Sequence, residues 1–178
     1  MEWMTPFPVE TERLILIPAQ EVHLRAALVS LDELARYLQV AVHPELTMFG
    51  TDPWAYALSQ MQSRPEETGW WTWFPVLKEE GMVVGTCGYK GYPDEQGWVE
   101  IGYEIAPPYR HRRLATECAG GLVERVRQMD AIRGVRAHTL AEENASVAIL
   151  RRLGFAHQGE IVDPDDGPVW AWSLDLHT

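Results

Sequence analysis

The densest group of positive charge in this sequence lies at residues 110–115. The segment consists of Arg110, His111, Arg112, Arg113, Leu114 and Ala115, and a helical pattern follows it. Basic side chains are unfavourable at a helix N-terminus unless an anion is bound there, because the helix dipole is positive at that end. The free amides of a first helical turn bind phosphate, and arginine adds charge-assisted hydrogen bonds. The segment therefore favours a pyrophosphate site over an ordinary basic helix start.

Two carboxylates on one predicted strand could act as a general base. Residues 98–105 alternate cleanly, so Glu100 and Glu104 share one face while apolar side chains occupy the other. A carboxylate near an amine can remove its proton, directly or through water. The alternative is that both glutamates belong to a solvated strand face. His138 is a third candidate base, for which an ordinary strand histidine is the simpler interpretation.

Other kinds of chemistry leave no pattern in the sequence. No spacing of His, Cys, Asp or Glu suggests a metal site, and no Ser–His–Asp order stands out. Neither a Walker loop nor a dinucleotide fingerprint is present. These observations leave anion binding and proton transfer as the chemistry that the sequence favours.

Length and charge narrow the class of protein further. The 178 residues suit a single domain spanning 1–178, and the net charge of -11 disfavours nucleic acid as a partner. An acidic chain attracts a basic acceptor such as an amine, although it also simply improves solubility. No run reaches the roughly 20 apolar residues of a membrane span, and the N-terminus does not resemble a secretion signal. We therefore expect a cytoplasmic protein in which Cys87 and Cys118 are reduced, buried thiols.

The elements that must position the candidate residues alternate along the chain. Strands are predicted at residues 11–17, 70–77, 82–90, 98–105, 135–140, 156–162 and 169–176. Helices are predicted at residues 19–30, 31–38, 52–62 and 115–129, and from a cap at Asn144 to a stop at Gly154. Residues 43–50 and 91–97 are predicted to be irregular. This order predicts one α/β domain with a mostly antiparallel sheet.

Residues 98–155 resemble the core of the GNAT acetyltransferases, nearest the ribosomal-protein N-acetyltransferase (RimJ/RimL-like) branch. The matching segments, in order, are Val99-Glu100-Ile101-Gly102-Tyr103, Ala106-Pro107-Pro108-Tyr109-Arg110, Leu114-Ala115-Thr116-Glu117, Ala137-His138-Thr139, Asn144-Ala145-Ser146 and Leu153-Gly154-Phe155. Residues 11–14 resemble the first strand of that branch. The resemblance implies an α+β GNAT fold, with a mixed, mostly antiparallel central sheet flanked by helices. That sheet would splay between the family's fourth and fifth strands, here residues 98–105 and 135–140.

The resemblance implies that the chain transfers the acetyl group of acetyl-CoA to a primary amine by direct attack in a ternary complex. It assigns coenzyme binding to Ile105, Ala106, Arg110, His111, Arg112, Arg113, Leu114, Ala115, Thr116 and Asn144. The family's loop is Gln/Arg-x-x-Gly-x-Gly/Ala, and Arg113 stands in the place of its middle glycine. Because glycine allows the backbone to approach phosphate closely, Arg113 either weakens coenzyme binding or compensates with its guanidinium.

By the same resemblance, pantetheine lies in the slot between the splayed strands. A bulge near the end of residues 98–105 opens the slot, and pantetheine bonds to the backbone of Glu104, Ile105 and Ala106. An amide at this point would also stabilise the oxyanion. Asn144 would contact the pantetheine arm, although a plain helix cap explains that residue as well.

The catalytic residues that the resemblance implies are Glu100, Glu104 and Ser146. Glu100 is the first candidate base, since the family often places a glutamate there, and Glu104 is the second. Many members use a tyrosine on the last helix to protonate the departing thiolate, but this chain has Leu150 at that position. The ribosomal branch offers a serine instead, matched by Ser146, for which an ordinary first-turn helix serine is the competing interpretation.

The acceptor and the alternatives to catalysis stay open at this point. A closed aromatic cup would favour a small-molecule amine, and an open acidic groove would favour a protein N-terminal amine. Most tryptophans are expected in the core, with two or three lining an acceptor pocket beneath residues 43–50; the candidates are Trp54, Trp70, Trp71, Trp73 and Trp98. The departures at positions 113 and 150 suggest a non-catalytic acyl-CoA-binding module as the alternative function. No metal, nucleic acid or membrane partner is expected, and a homodimer is left open.

Overall fold

The computed structural model describes residues 6–178, which form strands and helices around one central sheet. The strands are β1 (Val9–Glu10), β2 (Leu14–Pro18), β3 (Ala41–Val42), β4 (Thr72–Leu77), β5 (Met82–Val83), β6 (Gly85–Tyr89), β7 (Trp98–Ile105), β8 (Gly134–Leu140), β9 (Ala156–Asp163) and β10 (Gly167–Asp175). The helices are α1 (Glu21–Val29), α2 (Leu31–Leu38), α3 (Asp52–Ser63), α4 (Leu114–Arg127) and α5 (Ala145–Arg152).

The sheet is mostly antiparallel, and its two central strands diverge. The strand order is β1-β2-β4-β6-β7-β8-β10-β9, in which β7 and β8 run parallel. These two strands pair only from Trp98, Val99 and Glu100 to residues 134–136. The rest of β7 has no partner in β8, so a slot opens between them. The fold and the splay predicted from the sequence are therefore confirmed.

The bulge predicted near the end of β7 is wrong. The β6–β7 ladder keeps one register over all five pairs, from Gly85 opposite Ile105 to Tyr89 opposite Ile101. The register extends unchanged to the backbone bonds Ala106 N–H to Val84 O (2.8 Å) and Lys90 N–H to Glu100 O (2.9 Å). The slot therefore arises from the early end of the β7–β8 pairing and needs no extra residue in β7.

A bulge exists elsewhere, where the sequence predicts an unbroken strand at residues 82–90. The pairs Val76–Val83 and Leu77–Met82 are out of register by one residue with Thr72–Gly88 and Trp73–Cys87. The extra residue divides the predicted strand into β5 and β6. Pro75 in the facing strand has no N–H to donate to the ladder, and proline in sheets is commonly found beside such irregularities.

Helix α4 fixes the sheet from one side through an apolar stripe. Ala119, Leu122 and Val126 are fully buried and pack in one cluster with Ile101 of β7 and other core residues. Replacing a buried leucine such as Leu122 by alanine costs about 2–5 kcal/mol. The N-terminus of α4 is thereby held beside the C-terminal end of β7, which is where the slot opens.

Local sequence signals placed most helix ends correctly. Ser30 caps α2 by accepting from the N–H of Glu33 (3.0 Å), and Gly154 follows α5 at φ 88°. Helix α4 begins one residue before the prediction and ends before Met129, while β4 begins at Thr72, two residues after the predicted start. The two-residue strands β1 and β3 were not predicted, because two residues are too short to show an alternating pattern.

Candidate active site

One candidate site is a cavity of about 660 Å³ at the slot between β7 and β8. It is lined by the end of β7, the loop into α4, the first turn of α4, one face of α5 and the segment after β3. The lining residues are Met48, Phe49, Tyr103, Glu104, Ile105, Tyr109, Arg110, His111, Arg113, Leu114, Ala115, Thr116, Ala145, Ser146, Ala148, Ile149 and Arg152. We call it the first cavity.

The loop into α4 presents unused backbone amides to the first cavity. Arg113 is the N-cap of α4, and no side chain caps the helix there. The first intrahelical bond runs from Glu117 N–H to Arg113 O (3.1 Å), so the amides of residues 114–116 have no intrahelical acceptor. Such amides, together with the positive end of the helix dipole, form a binding site for a phosphate or pyrophosphate.

Two residues of this loop adopt a backbone conformation that favours glycine. Arg113 has φ 61° and ψ 20°, and His111 has φ 63°. At residue 113 the chain keeps the left-handed conformation that a glycine would adopt without strain, which costs a non-glycine residue about 1–2 kcal/mol. Arg113 therefore preserves the shape of the loop and adds a guanidinium to the cavity, at the expense of backbone strain.

The basic residues predicted for coenzyme binding divide into two groups. Arg110, His111 and Arg113 line the first cavity, and Arg110 Nε also donates to the carbonyl of Ile105 (3.0 Å). Arg112 does not line it; its guanidinium lies over the ring of Tyr109 at 5.6 Å and 4.0 Å from the carboxylate of Glu80. The structure therefore places Arg112 on the outer side of the loop.

Arg152 completes the positive lining, and sequence reasoning missed it. Residues 145, 148, 149 and 152 recur at helical spacing and form the face of α5 that lines the cavity. That spacing is visible in the sequence, but the pattern was assigned only to the buried face that contains Val147 and Leu150.

The backbone of β7 presents alternate residues to the slot. The bonds of Glu100 and Ala106 to β6 show that even-numbered residues of β7 use their backbone groups in that ladder. The backbone groups of Tyr103 and Ile105 consequently point to the slot. Three residues were predicted to bond pantetheine, and only Ile105 directs its backbone groups to the slot. Ala106 N–H is bonded to Val84 O in β6, and Glu104, which is also even-numbered, directs its backbone groups to β6 as well.

Asn144 acts as a helix cap. Its side chain accepts a hydrogen bond from the N–H of Val147 (3.0 Å), and it does not line the first cavity. The cap alone accounts for this residue, which was one of the two interpretations that the sequence left open. Its contribution to the site is to fix the start of α5 and hence the position of Ser146.

A second cavity of about 500 Å³ meets the first at the end of β7. Its lining residues are Thr47, Phe49, Pro53, Trp54, Tyr56, Ala57, Trp71, Thr72, Thr86, Cys87, Gly88, Tyr89, Lys90, Gly102, Tyr103 and Glu104. Three residues, Phe49, Tyr103 and Glu104, line both cavities. A group bound in one cavity can therefore meet a group bound in the other only at this junction.

Glu104 lies at the junction and ties the segment after β3 to the sheet. Its carboxylate accepts from Thr47 Oγ1 (2.9 Å) and from Met48 N–H (2.7 Å). A carboxylate has about four acceptor sites, so these two bonds leave capacity for a further donor. Thr47, Met48 and Phe49, from the segment of residues 43–50, therefore lie at the junction.

Glu100 lines neither cavity. Its carboxylate is bonded to Nδ1 of His138 (2.9 Å) and lies 3.1 Å from Nζ of Lys90. Burial alone would raise the pKa of Glu100, but the charge of Lys90 and the bonds from His138 and Lys90 outweigh burial and hold that pKa below its ordinary value. The structure brings Glu100 and His138 together as an ion-pair cluster, away from the junction.

Tyr103 is the residue at the junction that the sequence did not single out. Its hydroxyl lies near Ser146 across the slot, and burial raises the pKa of Tyr103 to about 12 although Ser146 lowers it. The hydroxyl is therefore protonated at neutral pH and can donate. Leu150 is fully buried and offers no such group. The available signal was that Tyr103 alone carries a hydroxyl on the buried face of β7.

The remaining predictions concern the tryptophans and the thiols. Trp54 and Trp71 line the second cavity, Trp70 and Trp73 belong to the core, and Trp98 packs against arginines outside both cavities. Cys87 and Cys118 are free and buried, as expected. In the described part of the chain, no group of three or more His, Cys, Asp or Glu could hold a metal ion. No helix within residues 6–178 has the length and apolar character of a membrane span.

The sequence and the fold match known proteins. A family model described as an acetyltransferase (GNAT) domain matches residues 13–156. An uncharacterized N-acetyltransferase of Bacillus subtilis (strain 168), YjdG, is 29% identical over 87 residues, which cover 49% of this chain and 52% of that protein. The chain therefore spans about half the length of the curated relatives that it matches.

Solved structures share the fold over nearly the whole chain. The ribosomal-protein-S5-alanine acetyltransferase from Vibrio fischeri matches with a TM-score of 0.69 and 15% identity, covering 97% of this chain and 98% of that chain. RimL, a ribosomal L7/L12 alpha-N-protein acetyltransferase in complex with coenzyme A, matches with a TM-score of 0.68 and 14% identity, covering 95% of this chain and 98% of that chain. At these identities the likeness concerns the fold alone.

Proposed function

The chain belongs to the GNAT acetyltransferase family, and on that premise we propose that it transfers the acetyl group of acetyl-CoA to a primary amine in a ternary complex. The observation that carries the proposal is the junction of the two cavities. Two neighbouring residues of β7, Tyr103 and Glu104, line both cavities at this one point, with their side chains on opposite faces of the strand. A base and an acid are thus available where an amine and an acyl donor would meet.

The first cavity fits coenzyme A. Residues 114–116 offer backbone amides, and Arg110, Arg113 and Arg152 supply positive charge for the phosphates, with His111 beside them. The slot fits an extended arm such as pantetheine, because the backbone of Tyr103 and Ile105 is directed into it. Acetyl-CoA supplies the acyl group in activated form, as a thioester.

Glu104 is the proposed general base. Its remaining acceptor capacity faces the junction, and it can take the proton from an ammonium directly or through one water molecule. A primary alkyl ammonium has a pKa near 10.4, so under about 0.1% of it is neutral at pH 7. Deprotonating the ammonium at pH 7 therefore costs about three pKa units, or ~4 kcal/mol, and the base must offset this free energy. Glu100 is less suited, because Lys90 and His138 occupy its carboxylate outside both cavities.

Tyr103 is the proposed acid for the departing thiolate, and Ser146 lies near its hydroxyl. The phenol is protonated at neutral pH, since its pKa is raised to about 12, and it faces the slot where the arm of the coenzyme would end. Ser146 lines the first cavity and is fixed at the start of α5. In this arrangement the serine lies beside the phenol, and water returns the proton that the phenol gives to the thiolate.

The same substitution at two glutamates of one strand face tests the proposal. Glu104→Gln is expected to lower kcat for acetylation of a primary amine by about 10²–10⁴-fold at pH 7.5, and by less at pH 9.5, where more of the amine is neutral. Glu100→Gln, its matched control, is expected to stay within about threefold of wild type. Release of coenzyme thiol measures the rate, and calorimetric titration measures binding of acetyl-CoA.

Three results would refute the proposal or change the residue assigned as its base. If acetyl-CoA does not bind at high micromolar concentration, the chain is not a transferase of this class. If Glu100→Gln is the variant that loses turnover with an altered pH–rate profile, the base is Glu100. Binding of acetyl-CoA without turnover of any amine would identify the chain as the alternative, a non-catalytic acyl-CoA-binding module.

We further propose that the chain belongs to the RimJ/RimL-like branch and works in the cytoplasm. The likeness of its fold to two ribosomal-protein acetyltransferases supports the branch, and two free, buried thiols support a reducing compartment. A homodimer and a protein N-terminal amine as acceptor stay predictions of the family resemblance.

A further inference from the structure

The second cavity has the composition of an aromatic cup. Six of its sixteen lining residues are aromatic, whereas aromatic residues make up 10% of the whole chain. Two of the rings, Phe49 and Tyr56, are more than half exposed and stand at the rim. Large exposed apolar side chains grouped around a concavity are typical of a ligand site.

The wall of the cup is held in a fixed orientation. Trp71 Nε1 donates to a carboxylate oxygen of Glu67 (2.8 Å), and Glu67 is only 3% exposed. Arg64 pairs with the same carboxylate at 3.2 Å. The ring of Tyr56 meets that of Trp71 edge to face, with centroids 5.5 Å apart. A buried carboxylate thus anchors one ring, and that ring orients a second, which is the arrangement of a preformed binding surface.

The charges of the cup suit a ligand with one ammonium group. Two charged residues line it, Glu104 at the junction with the first cavity and Lys90 at the other end. Lys90 Nζ pairs with Glu100 at 3.1 Å, and its stem passes 3.5 Å from the point where a side chain at Gly102 would begin. One ammonium group of a ligand can therefore pair with the carboxylate of Glu104 at the junction. A second ammonium group deeper in the cup would be repelled by the like charge of Lys90.

The floor of the cup beside Glu104 is formed by the β6–β7 ladder. Along the β6–β7 ladder, the pair Thr86–Glu104 is followed by the pair Gly88–Gly102, about 7 Å away. The stem of Lys90 covers Gly102, and the backbone carbonyl of Trp71 occupies the position where a side chain at Gly88 would begin. An aromatic group in the cup therefore packs against the rings of Trp71 and Tyr56. The strands of the floor are paired with each other and offer no free edge for a peptide backbone.

We propose, on the basis of the transferase function above, that the acceptor is a small primary amine joined to an aromatic ring by a short aliphatic linker. Its ammonium pairs with Glu104 at the junction, and its ring packs against Trp71 and Tyr56. The volume of about 500 Å³ suits such a molecule. Polyamines are disfavoured by Lys90, and peptides by the absence of a free strand edge in the floor.

A panel of three acceptors tests this assignment with the full chain and acetyl-CoA. The probes are 2-phenylethylamine, spermidine and a peptide with a free N-terminal serine, each followed by release of coenzyme thiol. We expect kcat/KM for 2-phenylethylamine to exceed that for spermidine and for the peptide by at least about tenfold. Tyr56→Leu should lower kcat/KM for 2-phenylethylamine by about 3- to 10-fold and leave that for spermidine unchanged.

Two further variants sharpen the test. Tyr37→Leu is the matched control, because Tyr37 is an exposed tyrosine on α2 that does not line the cup; it should leave all three values unchanged. Lys90→Met should raise kcat/KM for spermidine by about 2- to 5-fold, since it removes the like charge and frees Glu100.

The outcomes separate this inference from the proposed function. A higher kcat/KM for spermidine or for the peptide than for 2-phenylethylamine would overturn the acceptor assignment and leave the transferase intact. An equal loss in Tyr56→Leu and Tyr37→Leu would also overturn it, because the effect would not come from the cup. Binding of acetyl-CoA with no thiol release for any amine would overturn the transferase proposal itself.

Discussion

Replacing Arg113 by glycine should stabilise the free protein and weaken its hold on the coenzyme. Arg113 caps α4 at φ 61° and ψ 20°, a conformation that costs an L-residue about 1–2 kcal/mol. Glycine adopts it without that cost but loses about 0.5–1 kcal/mol more backbone entropy on folding. The difference predicts a gain of about 0.5–1 kcal/mol in the free energy of unfolding, or roughly 1–4 °C in Tm for a chain of this size.

Arg113→Ala is the variant that separates the backbone from the charge. Alanine keeps the unfavourable φ and removes the guanidinium, so its stability should stay within about 0.5 kcal/mol of wild type. Arg113 forms no salt bridge with residues 6–178, and its side chain lines the first cavity. Both variants should therefore lose the same phosphate contact, worth about 1.5 kcal/mol or roughly tenfold in Kd.

Urea unfolding of the free protein and calorimetric titration with acetyl-CoA measure the two effects separately. Equal stability of Arg113→Gly and Arg113→Ala would refute the argument from backbone strain. Tighter coenzyme binding by Arg113→Gly than by wild type would refute the argument that the guanidinium holds a phosphate. In that case the side chain of Arg113 would hinder coenzyme binding.

Three other substitutions test separate parts of the site and the fold. Tyr103→Phe removes the proposed acid and should lower kcat by about 10–100-fold without changing coenzyme affinity, as measured by thiol release and calorimetry. Glu100→Gln should lower Tm at pH 7, and this deficit should shrink as the pH falls below the ordinary glutamate pKa of 4.5. The reason is that the depressed pKa of Glu100 gives stability that is present above the unfolded pKa and lost as pH falls through the folded one. Glu117→Gln should lower the free energy of unfolding by about 2 kcal/mol in urea titrations, because that carboxylate accepts from Thr11 Oγ1 (2.6 Å) and Arg13 Nε (2.8 Å).

The sequence predicted β7 to the residue because its alternation is unbroken over eight positions. The same alternation predicts which face is buried, and Val99, Ile101 and Ile105 are indeed buried. The break between β5 and β6 could not be predicted in this way. The break depends on a shift of register against β4, which contains Pro75. The sequence of residues 82–90 carries no information on how these residues pair with β4.

The missed residues of the site have a common cause. Tyr103 lies on the buried face of its strand, and Arg152 belongs to the cavity face of α5. In both cases the sequence pattern predicts which residues share a face of the strand or helix. It does not predict which element lies across the slot from that face. A buried face usually means core, and here part of it borders a cavity, because β8 leaves β7 after three pairs. The divergence of two strands is a tertiary feature, so residues that it exposes look like core residues in the sequence.

The choice between the two glutamates of β7 shows where the strand pattern stops being informative. Both point to the same face, so alternation alone cannot rank them. The ladder decides, because its register places Lys90 opposite Glu100, whereas Thr86 stands opposite Glu104. A carboxylate beside a cross-strand lysine is drawn into an ion pair, and Glu100 finds a second partner in His138 on β8. Glu104 lies past the end of the β8 pairing and has only the segment after β3 across from it. The divergence that opens the slot is therefore also what leaves Glu104, and not Glu100, with an acceptor site directed at the junction.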